Sequence, residues 1–168
     1  MQVITTRLEA EEAKIIYQET AGLAIITINR PQAKNALTAN MWDELARIAL
    51  LTLENPKNKV LLIRGAGENF TAGSDIKEFN SISLKDAEEA FIHMENTIST
   101  IENLPIPVIG VINGPAMGAG LELALACDIR IGSDNARLGI PVGKLGITLN
   151  NKFAKRLVDL VGPSKTKD

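Results

Sequence analysis

A single cysteine, Cys127, in a chain of 168 residues excludes an internal disulfide and any multi-thiolate metal site, so neither a secreted disulfide scaffold nor a zinc finger can be built from it. Basic charge is not in excess either. With 18 Lys and Arg against 20 Asp and Glu, the formal charge is −2 with the single His neutral. The dense basic face needed to track a phosphate backbone is missing, which argues against a nucleic-acid partner. No apolar run reaches the roughly 18 residues of a membrane span. The opening MQVITTRLEAEEAK carries charge throughout, where a signal peptide has a basic start and an apolar centre. A reducing cytoplasmic setting is expected, with no membrane partner. No internal repeat, low-complexity block or long linker divides the chain. What remains is a composition near the globular average, 45% apolar and 23% charged, in a length suited to one domain.

After a polar leader over 1–13, KIIYQET and GLAIITINR are β-branched runs split by Gly22, the pattern of two strands joined by a tight turn, closed by Arg30-Pro31. Thr38 is a candidate N-cap for a helix carrying Met41, Leu45, Ile48 and Leu51 or Thr52 at helical spacing and ended by Asn55-Pro56. A buried strand, VLLIRG, follows. Ser83 with Asp86 resembles a capping box, and Ala87, Ala90, Phe91, Met94, Ile98 and Ile101 form one stripe of the helix behind it. PVIGVING then reads as a buried strand, AMGAGLELALAC as a helix, DIRIGS as a strand, and NNKFAKRLVDLVG as an amphipathic helix ending near Gly162-Pro163. Strands alternating with helices predict an α/β domain with a largely parallel sheet over residues 14–161, and 162–168 as a tail.

Between Leu104 and Cys127 the only charged residue is Glu122. A helix apolar all round is buried. An ionised carboxylate there costs several kcal/mol unless paired or protonated, and such a site raises an acid's pKa toward neutrality. Glu122 is therefore a candidate proton carrier; the bland reading is a buried Glu satisfied by a salt bridge or water. Gly114, Gly118 and Gly120 precede it, where a helix N-terminus presents unpaired amides. Ala119, three residues ahead of Glu122, puts an N–H and the carboxylate on one face a turn apart. The glycines are equally compatible with close helix-on-strand packing. A second glycine-bearing segment, FTAGSDIKEF, offers another N–H at Ala72-Gly73-Ser74, or else Ser74-Asp75 as an N-cap.

Other chemistries fade. The glycines lack dinucleotide-loop spacing, Gly139 to Lys144 is too short for a P-loop, and no serine sits in a G-x-S-x-G elbow. His93 and Cys127 read as surface and packing residues. No metal site is expected.

Together NRPQAKNALT, FTAGSDIKEF and INGPAMGAGLELALACDIRIGSDNARLGIP resemble the enoyl-CoA hydratase/isomerase (crotonase) family, in order from about Lys14 to Val161. The resemblance implies a repeated ββα core of the ClpP/crotonase-like kind. It implies an acyl-CoA thioester as substrate, with coenzyme A as part of that substrate and no separate cofactor, and a homo-oligomer, trimer or hexamer. Carried over by position, the backbone N–H groups of Ser74 and Ala119 hold the thioester oxyanion, and Glu122 is catalytic. Ala36, Ala72, Ser74, Asp75, Ile76, Lys77, Gly118 and Ala119 are the substrate-binding positions.

Two departures accompany it. Hydratases of the family resemble one another in a second glutamate after the next strand; LGIPVG puts Val142 there. The family also usually continues into helices that close the pocket and build a trimer, a segment this chain is expected to lack. Three readings follow: a hydratase of 2-enoyl-CoA, an isomerase or other enolate-forming enzyme needing one acid, and a non-catalytic CoA-binding protein.

Overall fold

A computed structural model describes residues 14–79, 81–141, 143, 146 and 148–167. The expected leader and Val142 lie outside the described residues. Strands β1 (Ile15–Thr20) and β2 (Leu23–Ile28) pair antiparallel, with Ile15 opposite Ile28, across a turn at Ala21-Gly22 where both φ angles are positive. Ala24, Ile26 and Ile28 alternate into the core, as the period of a strand requires. β3 (Val60–Gly65), β4 (Val108–Ile112) and β6 (Ile129–Gly132) extend the sheet in parallel, in the order β1-β2-β3-β4-β6.

A second layer is built from much shorter pieces. β5 (Pro115–Met117) pairs in parallel with β7 (Arg137–Gly139), and two isolated parallel bridges, Thr71 with Ala116 and Leu37 with Ser74, continue the row. Each turn of the chain thus lays one strand in the large sheet, one extended segment in the second layer, and then a helix. The helices are α1 (Ala39–Leu51), α2 (Ile76–Phe79) with α3 (Leu84–Glu102), α4 (Ala119–Ala126) and α5 (Asn151–Lys167). This is the repeated ββα architecture that the resemblance implies.

The caps explain where the helices start. Thr38 Oγ1 accepts from Met41 N at 3.3 Å, and Ser83 Oγ accepts from Asp86 N at 3.2 Å, each supplying an acceptor for an otherwise orphaned amide. Met41, Trp42, Leu45, Ile48 and Ala49 of α1 pack on the sheet with Met94, Ile98 and Ile101 of α3, and each large side chain contributes about 1.5–3 kcal/mol on leaving water.

The structure corrects three expectations. The segment expected as a helix from Ala116 begins as strand β5, and helix starts only at Ala119. Phe91 is not in the buried stripe: it is exposed, its ring 4.9 Å from that of Phe79, and Thr97 takes a buried place on α3 instead. Gly162 breaks the last helix at φ 79°, as expected, but helical backbone resumes as far as Lys167. No helix among the described residues is long and apolar enough to cross a membrane.

Candidate active site

Ser74 and Ala119 belong to different turns of the chain, and the second layer brings their segments together. At the Leu37–Ser74 bridge, Leu37 N donates to Gly73 O and Asp75 N donates to Leu37 O. In a parallel pairing the residue between those two partners turns its own amide the other way, so Ser74 N–H faces away from Leu37. Gly73, at φ 87°, closes the approach: a Cβ there would lie 2.9 Å from Ala119 N and 2.7 Å from Met117 O. Among the described residues, neither Ser74 N–H nor Ala119 N–H donates to a protein acceptor. Ala119 opens α4 behind Gly118 (φ 55°, ψ −123°), a conformation essentially reserved for glycine, and the space beside Gly118 is open. Gly114 and Gly120 serve close packing, since a Cβ would strike Glu68 O and Thr71 O respectively.

The side chains of the 74–77 segment are turned to other tasks. Ser74 Oγ accepts from Trp42 Nε1 at 3.2 Å. Asp75 is buried against Arg30 Nη1 at 2.5 Å and also accepts from Lys77 N at 2.9 Å, so it caps α2, the alternative left open by the sequence. The Arg30 guanidinium holds its carboxyl below the usual carboxylate range. Ile76 and Lys77 are exposed, Ala36 is buried, and Ala72 is half-buried with its N–H on Lys34 O. Asn35 beside Ala36 is fully buried in the left-handed region at φ 56°. Its amide donates to Ala66 O and Asn69 O, and its oxygen accepts from Arg30 N, fastening the 30–37 turn to the loop that leads into Thr71.

Glu122 is buried, one turn after Ala119, with its N–H on Gly118 O. Its carboxylate meets Arg156 Nη1 of α5 at 2.7 Å, so the salt-bridge reading of this residue is realised. Burial first, and then the adjoining Glu95 carboxylate, push its pKa up to about 8 against the opposing pull of Arg156. A carboxyl group with that pKa can carry a proton in either direction near neutrality. Arg156 also binds Glu95 at 2.9 Å and Glu102 at 2.9 Å, both on α3.

Sequence reasoning missed Arg156 and Glu95. The available signal was position: Arg156 falls between Phe153 and Leu157 at i+3 of an apolar stripe, where a solvated charge does not belong. The two residues read as bland behave so. His93 is exposed with Nδ1 2.6 Å from Asp43 Oδ1, beside a hollow of about 220 Å³ lined by Asp43, Glu78, Asp86 and Glu89. Cys127 is buried, its thiol pushed up to about 12 by desolvation.

Stacked ββα turns with two amides and a buried acid at the second layer define a crotonase-type fold. A family model, Enoyl-CoA hydratase/isomerase, matches residues 18–168, and the chain belongs to that family. A crotonyl-CoA hydratase of Syntrophomonas wolfei is 38% identical over 154 residues, 91% of this chain and 59% of the relative. A short-chain-enoyl-CoA hydratase of Clostridium acetobutylicum is 37% identical over 155 residues, again 91% and 59%. The crystal structure of an enoyl-CoA hydratase from Bacillus anthracis superposes with a TM-score of 0.88 at 34% identity, covering 92% of this chain and 61% of that one. The chain thus spans about three-fifths of the length of these relatives.

Proposed function

We propose that this chain carries an acyl-CoA-processing site, in which the Ser74 and Ala119 amides hold the thioester oxygen and Glu122 moves the proton. One observation supports this above others: two amides without a protein acceptor among the described residues, drawn together by the close approach at Gly73, with a buried acid one helical turn behind. The substrate is a 2-enoyl-CoA, and coenzyme A enters as its handle with no separate cofactor. The names of the hydratase relatives support that choice.

Water oxygen bonds to Cβ, the π electrons move onto the thioester oxygen as an enolate, and the two N–H groups stabilise the charge as it develops. A single carboxylate completes the balance, taking the proton that the water loses and returning it to Cα. The same set isomerises a 3-enoyl-CoA by taking a proton from C2 and delivering it to C4. Val142, at the second-acid position of the LGIPVG segment, favours this second reading because isomerisation needs no acid to position water.

Glu122→Gln separates these readings from a chain that only binds CoA. Consumption of crotonyl-CoA and of a 3-enoyl-CoA, followed separately, is expected to fall by about 10²–10⁴, and the substrate consumed by the wild type assigns the reaction. Turnover unchanged by Glu122→Gln would remove Glu122 from its role. Tight acyl-CoA binding without turnover by the wild type would establish the binding-only protein.

A further inference from the structure

We propose that Glu95 is a positioning residue for proton transfer: it and Glu122, held side by side on the Arg156 guanidinium, share one proton, and Glu95 is that proton's route to solvent. The inference rests on the reading of Glu122 as the proton carrier.

The geometry begins with the guanidinium. Its Nη1 binds Glu122 Oε1 at 2.7 Å and its Nη2 binds Glu95 Oε1 at 2.9 Å. The donors of a guanidinium are fixed in one plane, so groups on its two Nη atoms are neighbours. Two ionised carboxylates so placed offer each other only acceptors. With both ionised, the buried group of Glu95, Glu122 and Arg156 carries −1, whereas one shared proton brings it to zero, the less costly state away from water. The third partner, Glu102, is 40% exposed on the outer side of Arg156 and is left to solvent.

Exposure grades outward along the same line. Glu122 is 1% exposed, Glu95 14%, and Lys152, whose Nζ lies 3.6 Å from Glu95, 61%. Asn150 Nδ2 donates to Glu95 Oε2 at 3.2 Å and Ser99 Oγ donates to Oε1 at 3.1 Å, so the outer carboxylate is both oriented and wetted. While Glu122 holds the proton it has taken from water, the shared proton, then on Glu95, can leave to solvent; once Glu122 has returned its proton to carbon, Glu95 is reprotonated from water and the pair again holds one proton. No electrons change hands. The pair thus supplies both an acid and a base from the side of α3, in a chain with Val142 at the family's second-acid position.

The test is carbon-detected titration of glutamate carboxyls in the resting protein, with Glu122 assigned by its loss in Glu122→Gln. In the wild type, Glu95 and Glu122 are expected to titrate as one coupled pair, each sensing both steps. Glu95→Gln, which keeps an acceptor for Arg156, is expected to lower the Glu122 midpoint by at least one pH unit and to move the kcat–pH profile with KM little changed. Glu102→Gln, which loosens the same cluster from outside, is expected to shift the Glu122 midpoint far less. Independent single-step titrations in the wild type would overturn the proposal without any variant. Equal shifts from Glu95→Gln and Glu102→Gln, or a kcat–pH profile unmoved by Glu95→Gln, would overturn it as well. Failure of the Glu122 reading shows elsewhere, as turnover that survives Glu122→Gln.

Discussion

Burial makes Glu122 hold a proton more tightly than an ordinary carboxyl does, and that has a consequence for stability apart from chemistry. Its pKa rises from the ordinary 4.5 to about 8 on folding, so between those values the folded state binds the extra proton. The stability this confers is fully present below about 4.5 and is lost as the pH climbs through 8. Glu122→Gln should therefore remove a fall in unfolding free energy of up to about 1.4 kcal/mol per pH unit, read as urea midpoints of wild type and variant converging toward acid and parting toward pH 8. Gly73 is the second decisive position. Gly73→Ala places a methyl group 2.9 Å from Ala119 N in a backbone conformation at φ 87°, and is expected to cost about 10²–10³ in kcat by separating the two amides, with circular dichroism unchanged. Glu122 was legible in the sequence because it is the one charge in an apolar stretch. Glu95 and Arg156 were not, because a charge bordering an amphipathic stripe looks solvated until the helix opposite it is known.

Among the elements, the long helices and the large-sheet strands were legible from period and caps: Thr38 and Ser83 stand where the caps form. β5 was missed because three residues are too few to display an alternation, and its Ala and Met read equally well as helix. The second layer as a whole was hidden for the same reason, being made of two three-residue strands and single bridges. That layer is nonetheless what sets Ser74 beside α4. Its integrity depends on Asn35, which ties the 30–37 turn to the 66–70 loop. Asn35→Ala removes a buried amide from Ala66 O, Asn69 O and Arg30 N and puts a less tolerant residue at φ 56°. A loss of about 3 kcal/mol is expected in denaturant unfolding. A loss below about 1 kcal/mol would show that the turn holds itself.

At the scale of the whole molecule, four turns of strand, short segment and helix bring the segments of Ser74 and Ala119, the proposed amide donors, together through the second layer. The last turn leaves Ile129, Ile131 and Leu138 exposed, as are Val158, Leu160 and Val161 of α5, whereas Phe153 of that helix is buried. The chain spans 59% of the hydratase relatives, so whether hydration or isomerisation is its reaction is best separated from whether the core forms an enolate at all. Exchange of the α-hydrogens of a saturated acyl-CoA with D2O, followed by proton NMR, makes that separation. It needs only the two amides and one base, with no water addition and no second acid. The expected result is exchange at least about 10²-fold faster with the wild-type chain than with Glu122→Gln. Exchange at the buffer rate in both, or at equal enhanced rates in both, would contradict the assignment of Ser74, Ala119 and Glu122 as an enolate-forming site.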